Sequence, residues 1–375
     1  MRQSAILLEE RIKYGLHSIE ETCMPISERE NYLRAAKFES PDWIPMEFHI
    51  NAACWHAYPS SALMDLIASH PMLFPDIEGG GRGIVPQYDV TADAAQPYTD
   101  PWGCVWETTE DGIVGQVTHH PLADWDNFDS FPSPDPERDF GRGPIDWEEK
   151  AAKIQKTREE GGLTSGGLRH GHTFMTLCDI RGYENLLGDM SDGEPRLIEL
   201  IERLEDFNQG IIDRYMQIGV DVMAYPEDLG MQVGPMISPR FLKTYIKPCY
   251  QRLITPAREA GCLIHMHSDG DIRTLVEDLV DGGVQILNLQ DLVNGIDWIR
   301  ETLAGKICID LDIDRQRITP FGSPSEIDAL IREEVEKLGS PKGGLMMIYG
   351  LYPGVPLENA KALMDAMERY ATYYS

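Results

Sequence analysis

The chain has no Cys-x-x-Cys pair, no long apolar run and little positive charge. Its seven cysteines (Cys23, Cys54, Cys104, Cys178, Cys249, Cys262 and Cys308) are scattered and odd in number. That argues against a disulfide framework and for a reducing compartment. No stretch approaches the roughly eighteen apolar residues needed to span a bilayer. Residues 1–30 are charged throughout, so a secretory leader is not expected and a cytoplasmic location is. Only 33 basic residues stand against 62 acidic ones, a net charge of -29. Such a field repels polyanions, which argues against nucleic acid and anionic membrane surfaces as partners. The acidic excess is spread along the chain and reads as a solvated surface. No Gly-x-Gly-x-x-Gly follows an early strand and no Walker A motif occurs, so a nucleotide-binding fold has little support.

What is present is an ordinary globular composition, 42% hydrophobic and 25% charged, with βα alternation from about residue 148 onward. Helical stripes near 147–160, 195–218, 239–260, 272–282, 296–301, 324–338 and 356–373 alternate with short apolar strands. The strands lie near 163–165, 222–225, 263–267, 284–289, 307–311 and 345–349. An earlier strand runs from Trp43 to Ile50. Short strands alternating with helices mean a parallel sheet, and seven or eight units suit a (β/α)8 TIM barrel better than an open sheet. Residues 1–38 read as N-terminal helices, one around Glu9–Ile12 and one capped by Ser27. Residues 75–147 are rich in Gly, Pro and Asp and read as a long excursion covering one end of the barrel. The whole of 1–375 is expected to be a single domain.

Polar residues at strand ends are the candidate site, because barrel active sites are built there. His265, His267 and Asp269 alternate, so they share one face. They form a metal site, a metal-free acid/base column, or a structural histidine pair with Asp269 capping the next helix. Glu47 and His49 make a second alternating pair, whose burial must be offset by ligand binding, catalysis or a salt bridge. Of Glu227 and Asp228, adjacent carboxylates, at most one need face the cavity. Asn288 and Gln290 suit hydrogen bonding to a neutral, oxygenated substrate. Asp310 and Asp312 are either a carboxylate pair with one raised pKa or partners of Arg315 and Arg317. Arg169, His170 and His172 end another strand, where Arg169 can grip a carboxylate. Tyr349 and Tyr352, with Trp55 and Trp102, can stack on a ring or pack in the core.

Several of these segments resemble one known group. Gly171-His172-Thr173-Phe174 running to Arg181-Gly182-Tyr183-Glu184, Asp228-Leu229-Gly230 before Ile237-Ser238-Pro239, His267-Ser268-Asp269-Gly270, and Tyr349-Gly350 before Pro356-Leu357-Glu358-Asn359 are similar to motifs of the uroporphyrinogen decarboxylase-like superfamily. The resemblance covers roughly residues 30–373. It implies a barrel enzyme, either a porphyrinogen decarboxylase or a corrinoid-dependent methyltransferase.

True decarboxylases carry an arginine-bearing motif after the first strand. Here His49-Ile50-Asn51-Ala52-Ala53-Cys54-Trp55 has no arginine, so a substrate with eight carboxylates is poorly served. The methyltransferase branch fits better. Its members bind zinc through His-x-Cys and a later Cys, but Asp269 and Leu351 stand at the two cysteine positions. A harder nitrogen and oxygen site from His265, His267, Asp269 and Glu227, with Glu47 or His49 nearby, remains open. The expected activity is methyl transfer (O-demethylation of a methoxylated aromatic, for example) to a corrinoid on a partner protein that docks on the excursion. His267, Asp269, Glu47 and His49 would be catalytic. Glu227, Asn288, Gln290, Arg169, His172, Asp310, Tyr349 and Tyr352 would bind substrate. The alternatives are a decarboxylase of another small carboxylated substrate and a non-catalytic ligand-binding barrel. A homodimer is a further candidate partnership.

Overall fold

Eleven strands form in the computed structural model, which describes residues 26–75 and 88–375. The expected helix near Glu9–Ile12 lies outside those residues. The main sheet is parallel throughout. It contains β1 (Met46–Ile50), β5 (Ser165–Gly167), β6 (Val222–Ala224), β7 (Glu227–Asp228), β8 (Leu263–Asp269), β9 (Ile286–Gln290), β10 (Cys308–Asp312) and β11 (Leu345–Leu351). Their spatial order is β1-β11-β10-β9-β8-β6-β5, with β7 also paired to β8. Helices follow the strands in a (β/α)8-barrel-like fold. The helix Pro195–Ile218 shows why: Leu197, Leu200, Ile201, Leu204, Phe207, Ile211 and Tyr215 repeat every three or four residues and are buried. No described helix is long and apolar enough to cross a membrane.

Two features decide where the site can lie. The helix Glu28–Lys37, capped by Ser27 as expected, packs Ala35, Ala36, Tyr32 and Leu33 against Val222, Leu263, Ile286, Cys308 and Met346. These contacts close the barrel at the N-terminal ends of its strands. The opposite end is bordered by a second, antiparallel sheet from the excursion, β2 (Tyr98–Thr99), β3 (Val105–Glu107) and β4 (Gln116–His119). Trp106 and Trp125 from this segment join the main core.

Strand β8 follows the alternation that its sequence implies. Ile264, Met266 and Ser268 are buried, while His265, His267 and Asp269 lie on the other, partly open face. Burying Ile264 and Met266 contributes about 1.5–3 kcal/mol each, enough to fix the register and hold three polar groups toward the barrel axis. Elsewhere the expected elements shift. The strand expected at 222–225 forms as Val222–Ala224, and the sheet continues past Pro226, which has no N–H for the ladder, where β7 resumes pairing at Glu227↔Ser268. The single helix expected over 239–260 is three pieces, Pro239–Phe241, a π turn Leu242–Ile246, and Lys247–Glu259.

The loops after β7 and β8 touch backbone to backbone. Gly270 has φ +81°, and a Cβ there would lie 2.1 Å from the Gly230 carbonyl carbon. Gly230 N–H donates to the Asp269 carbonyl at 3.1 Å, and Asp271 N–H to that of Met231 at 2.7 Å. A side chain at 270 meets both a strained φ and a backbone clash. Gly270→Ala is expected to destabilise the fold by about 2–4 kcal/mol; thermal unfolding that shows no loss would contradict this.

Candidate active site

The strand ends and the excursion enclose a cavity of about 710 Å³. His170, Asp228, His267, Asp269, Arg315 and Tyr352 line it from the barrel, and Trp106, Val117, His120 and Arg142 from the excursion.

His267 is held at both nitrogens. Asn288 Nδ2 donates to the Asp310 carbonyl at 2.7 Å, which turns its Oδ1 toward His267 Nδ1 in a short hydrogen bond. An oxygen there requires a proton on Nδ1. The other nitrogen, Nε2, faces carboxylates: Asp228 at 3.5 Å and Asp269 at 3.6 Å. Burial alone would lower the pKa of His267. The Asp228 bond and the charges of Asp269 and Asp228 outweigh it and raise the value to about 9. The ring is therefore an imidazolium at neutral pH, with Nε2–H on the cavity side.

Asp228 is the hub. Its Oδ1 lies 3.4 Å from His170 Nε2 and 3.5 Å from His267 Nε2. Burial would raise its pKa, but bonds from His170 and His267 hold it far below the usual carboxylate range. Arg315 closes the other side, with Nη2 2.6 Å from Asp312 and 3.2 Å from Asp269. Asp312 is pushed up to about 7 by burial, against the pull of Arg315. Arg315 also lies over the Tyr352 ring at 5.6 Å.

Other expected site residues are placed elsewhere. Glu227 is fully buried and points away from the cavity. It accepts the amides of Thr173, Phe174 and Met175 at 2.7, 2.8 and 3.3 Å, so it anchors the helix Phe174–Arg181 and is not a ligand. Burial raises it to about 7 against those bonds. His172 is also sealed: Nδ1 meets Thr173 Oγ1 at 2.6 Å, and burial lowers its pKa to about 3. Its neighbour His170 is the one that faces the cavity. Arg169 turns inward, to Thr176 and to Asp179 at 3.6 Å. Gln290 braces the Gly270 amide at 3.0 Å. Tyr349 packs on Phe48 at 5.2 Å and bonds Thr319 at 3.1 Å, and Trp102 is core. Apart from His170, none of these expected residues lines the cavity.

Deeper in the barrel, His265 Nε2 pairs with Asp310 Oδ2 at 2.8 Å. Both line a separate cavity of about 210 Å³ with Glu47. His49 Nε2 meets Glu47 at 3.2 Å, and this pair is well exposed. His265, Glu47 and His49 are thus not part of the His267 cluster. His170, Asp228 and His267 each offer one donor atom within 4.8 Å of the others, as do His267, Asp269 and Asp312. Two imidazoles and a carboxylate fit a nitrogen and oxygen site for an ion such as zinc. Neither cluster includes a cysteine.

Three residues escaped the sequence reading: Arg142, His120 and Asp179. All line the cavity, but none sits on a regular strand end.

With this geometry in hand, the chain can be set beside known proteins. Residues 100–370 match the uroporphyrinogen decarboxylase (URO-D) family. The chain belongs to that family of enzymes. Uroporphyrinogen decarboxylases of Pongo abelii and Homo sapiens are each 22% identical over 161 residues, 41% of this chain. The match spans only 41% of the length of those curated relatives. The fold is similar to that of a methyltransferase from Methanosarcina mazei, with TM-score 0.63 and 18% identity, covering 92% of this chain and 99% of that one.

The raised His267 pKa has a definite sign. The pairing stabilises fully below about pH 6.5, the ordinary histidine value, and is lost as pH rises through the folded value. In chelator-treated protein, NMR titration of His267 is expected to give a midpoint near 9, and Asp228→Asn is expected to lower it by at least about one unit. An unchanged midpoint in the variant would refute the pairing.

Proposed function

We propose that this chain is a methyltransferase that takes a methyl group from a small methylated compound, of the methoxylated aromatic class, and delivers it to a corrinoid on a separate partner protein. One observation carries the reading: His267, with Nδ1 held by Asn288 and Nε2 beside Asp228 and Asp269, faces a cavity large enough for a small substrate. The family membership and the similarity in fold to a methyltransferase support it. The turn after β1 supports it as well. Asn51 accepts the Ala53 amide at 2.8 Å and Cys54 bonds the Leu351 carbonyl at 3.2 Å, which makes a neutral turn with no cation for a polycarboxylate.

Breaking a methyl–oxygen bond leaves the electron pair on oxygen. His267 meets that oxygen with its Nε2 proton and lowers the cost of the developing charge. Asp228 keeps the ring charged beforehand, and Asn288 fixes its tautomer and tilt. Arg315 pairs with both Asp269 and Asp312, so this side of the cavity is not purely anionic. His170, Asp228 and His267 are the residues that would hold a zinc ion; Nε2 of His267 would then be a ligand and not a proton donor, and the Lewis acidity of the ion would serve the same oxygen in place of that proton.

The test is methyl transfer from 4-methoxybenzoate to free cob(I)alamin, followed by the cobalt absorption change, with carbon dioxide release measured in parallel. His267→Ala is expected to reduce transfer about 10²–10⁴-fold. Carbon dioxide release without transfer would favour the decarboxylase reading. Elemental analysis of the same preparations is expected to show about one zinc per chain in the native protein and loss of it in His267→Ala; no stoichiometric metal in either would leave the metal-free acid column.

A further inference from the structure

The excursion places in the cavity a cation that forms no ion pair among the described residues. The Arg142 guanidinium lies over the Trp106 ring, 4.4 Å from its centroid. Its Nε is buried and makes no hydrogen bond, and among the described residues no carboxylate forms an ion pair with it. Carboxylates lie near enough to favour its charge, though none forms an ion pair with it. Asp100 accepts Trp102 N, Cys104 N and Trp106 Nε1, each at 2.9 Å. Asp179 Oδ2 lies 3.6 Å from Arg169 and makes no hydrogen bond. Burial, then repulsion from Arg169, lowers the Arg142 pKa to about 10, so it remains charged at neutral pH. A partly buried cation without a partner is costly, and proteins keep one where a ligand completes it.

The surroundings suit one kind of ligand. Guanidinium groups bind carboxylates through paired N–H bonds. Val117, Met175 and Met236 line the same cavity, and Tyr183 adds its ring, with its hydroxyl already donated to the Met236 carbonyl at 2.6 Å. Those groups accept an aromatic or aliphatic body. The second guanidinium of the region, Arg169, is occupied by Thr176, the His170 carbonyl and Asp179, so among the described residues this wall offers one guanidinium without an ion pair and not a cluster.

We propose that Arg142 is the anion-binding residue of this cavity and that the substrate is a small monocarboxylate with an apolar body, its carboxylate on Arg142 and its reacting end at His267. The choice of reacting end rests on the methyl-transfer reading; the binding of the carboxylate does not.

Calorimetry of the full chain, with no corrinoid present, separates the two. The probes are benzoate and 4-methoxybenzoate, with benzamide and 4-methoxybenzamide as neutral isosteres. The native protein is expected to bind each acid at least about tenfold tighter than its amide. Arg142→Met, which keeps an apolar stem against Trp106, is expected to lose that preference, and Arg142→Lys to retain part of it. Equal affinity for acid and amide in the native protein, no detectable binding of either acid, or an undiminished preference in Arg142→Met would each overturn the proposal. Arg142→Lys and the native acid–amide comparison carry the test alone if Arg142→Met does not fold. Should the acids bind as described while 4-methoxybenzoate gives no methyl transfer, the methyl-transfer reading fails and the anion site stands.

Discussion

Asp228 sits between two imidazoles, and the charge distribution of the cavity follows from that position. A half-buried carboxylate is held ionised by such partners. Its partners, His170 from the loop after β5 and His267 from β8, come from different parts of the chain, so these contacts also tie those segments together. One carboxylate thus keeps His267 protonated, orients His170 and fixes the spacing between two strand ends. Arg315 does the same for Asp269 and Asp312. The mouth of the barrel is a set of matched pairs in an otherwise strongly acidic protein.

The neighbouring residue has an unrelated task. Glu227 points the opposite way and receives three backbone amides at the start of the helix Phe174–Arg181. That helix carries Met175, Cys178 and Asp179 to the cavity wall. Two successive carboxylates therefore set both the chemistry of the strand end and the position of the wall beside it. Neither can be displaced without moving the other, because Pro226 and the pairing of β7 with β8 leave the short segment little freedom.

Much of the fold could be read from the sequence because its signals are periodic. The stripes of Pro195–Ile218 and the alternation of His265, His267 and Asp269 are local patterns that tertiary packing did not override. The site was harder. Parity along β11 places Ile348 and Gly350 beside Glu47 and His49, which turns Tyr349 outward; the sequence alone shows a tyrosine near a strand end but not which way it faces. Glu227 and Asp228 could not be told apart, since the break at Pro226 resets the alternation. His170 and His172 differ by two residues in a loop, where period two does not apply. Asp179 was invisible because it lies on the helix Phe174–Arg181 and not at a strand end, and Arg142 and His120 because no repeat in residues 98–147 shows which side chains of the cover face the barrel mouth.

That last feature has an evolutionary consequence. The acid–imidazole cluster is built entirely from strand ends and the loops that follow them, while the cation at Arg142 and its platform, Trp106, belong to an insertion between the first two described strands of the barrel. Core strands tolerate little change, whereas an irregular insertion with its own small sheet can be lengthened, shortened or rewritten. Descendants of one ancestor can therefore keep a common reaction centre and diversify their diet by exchanging the cover.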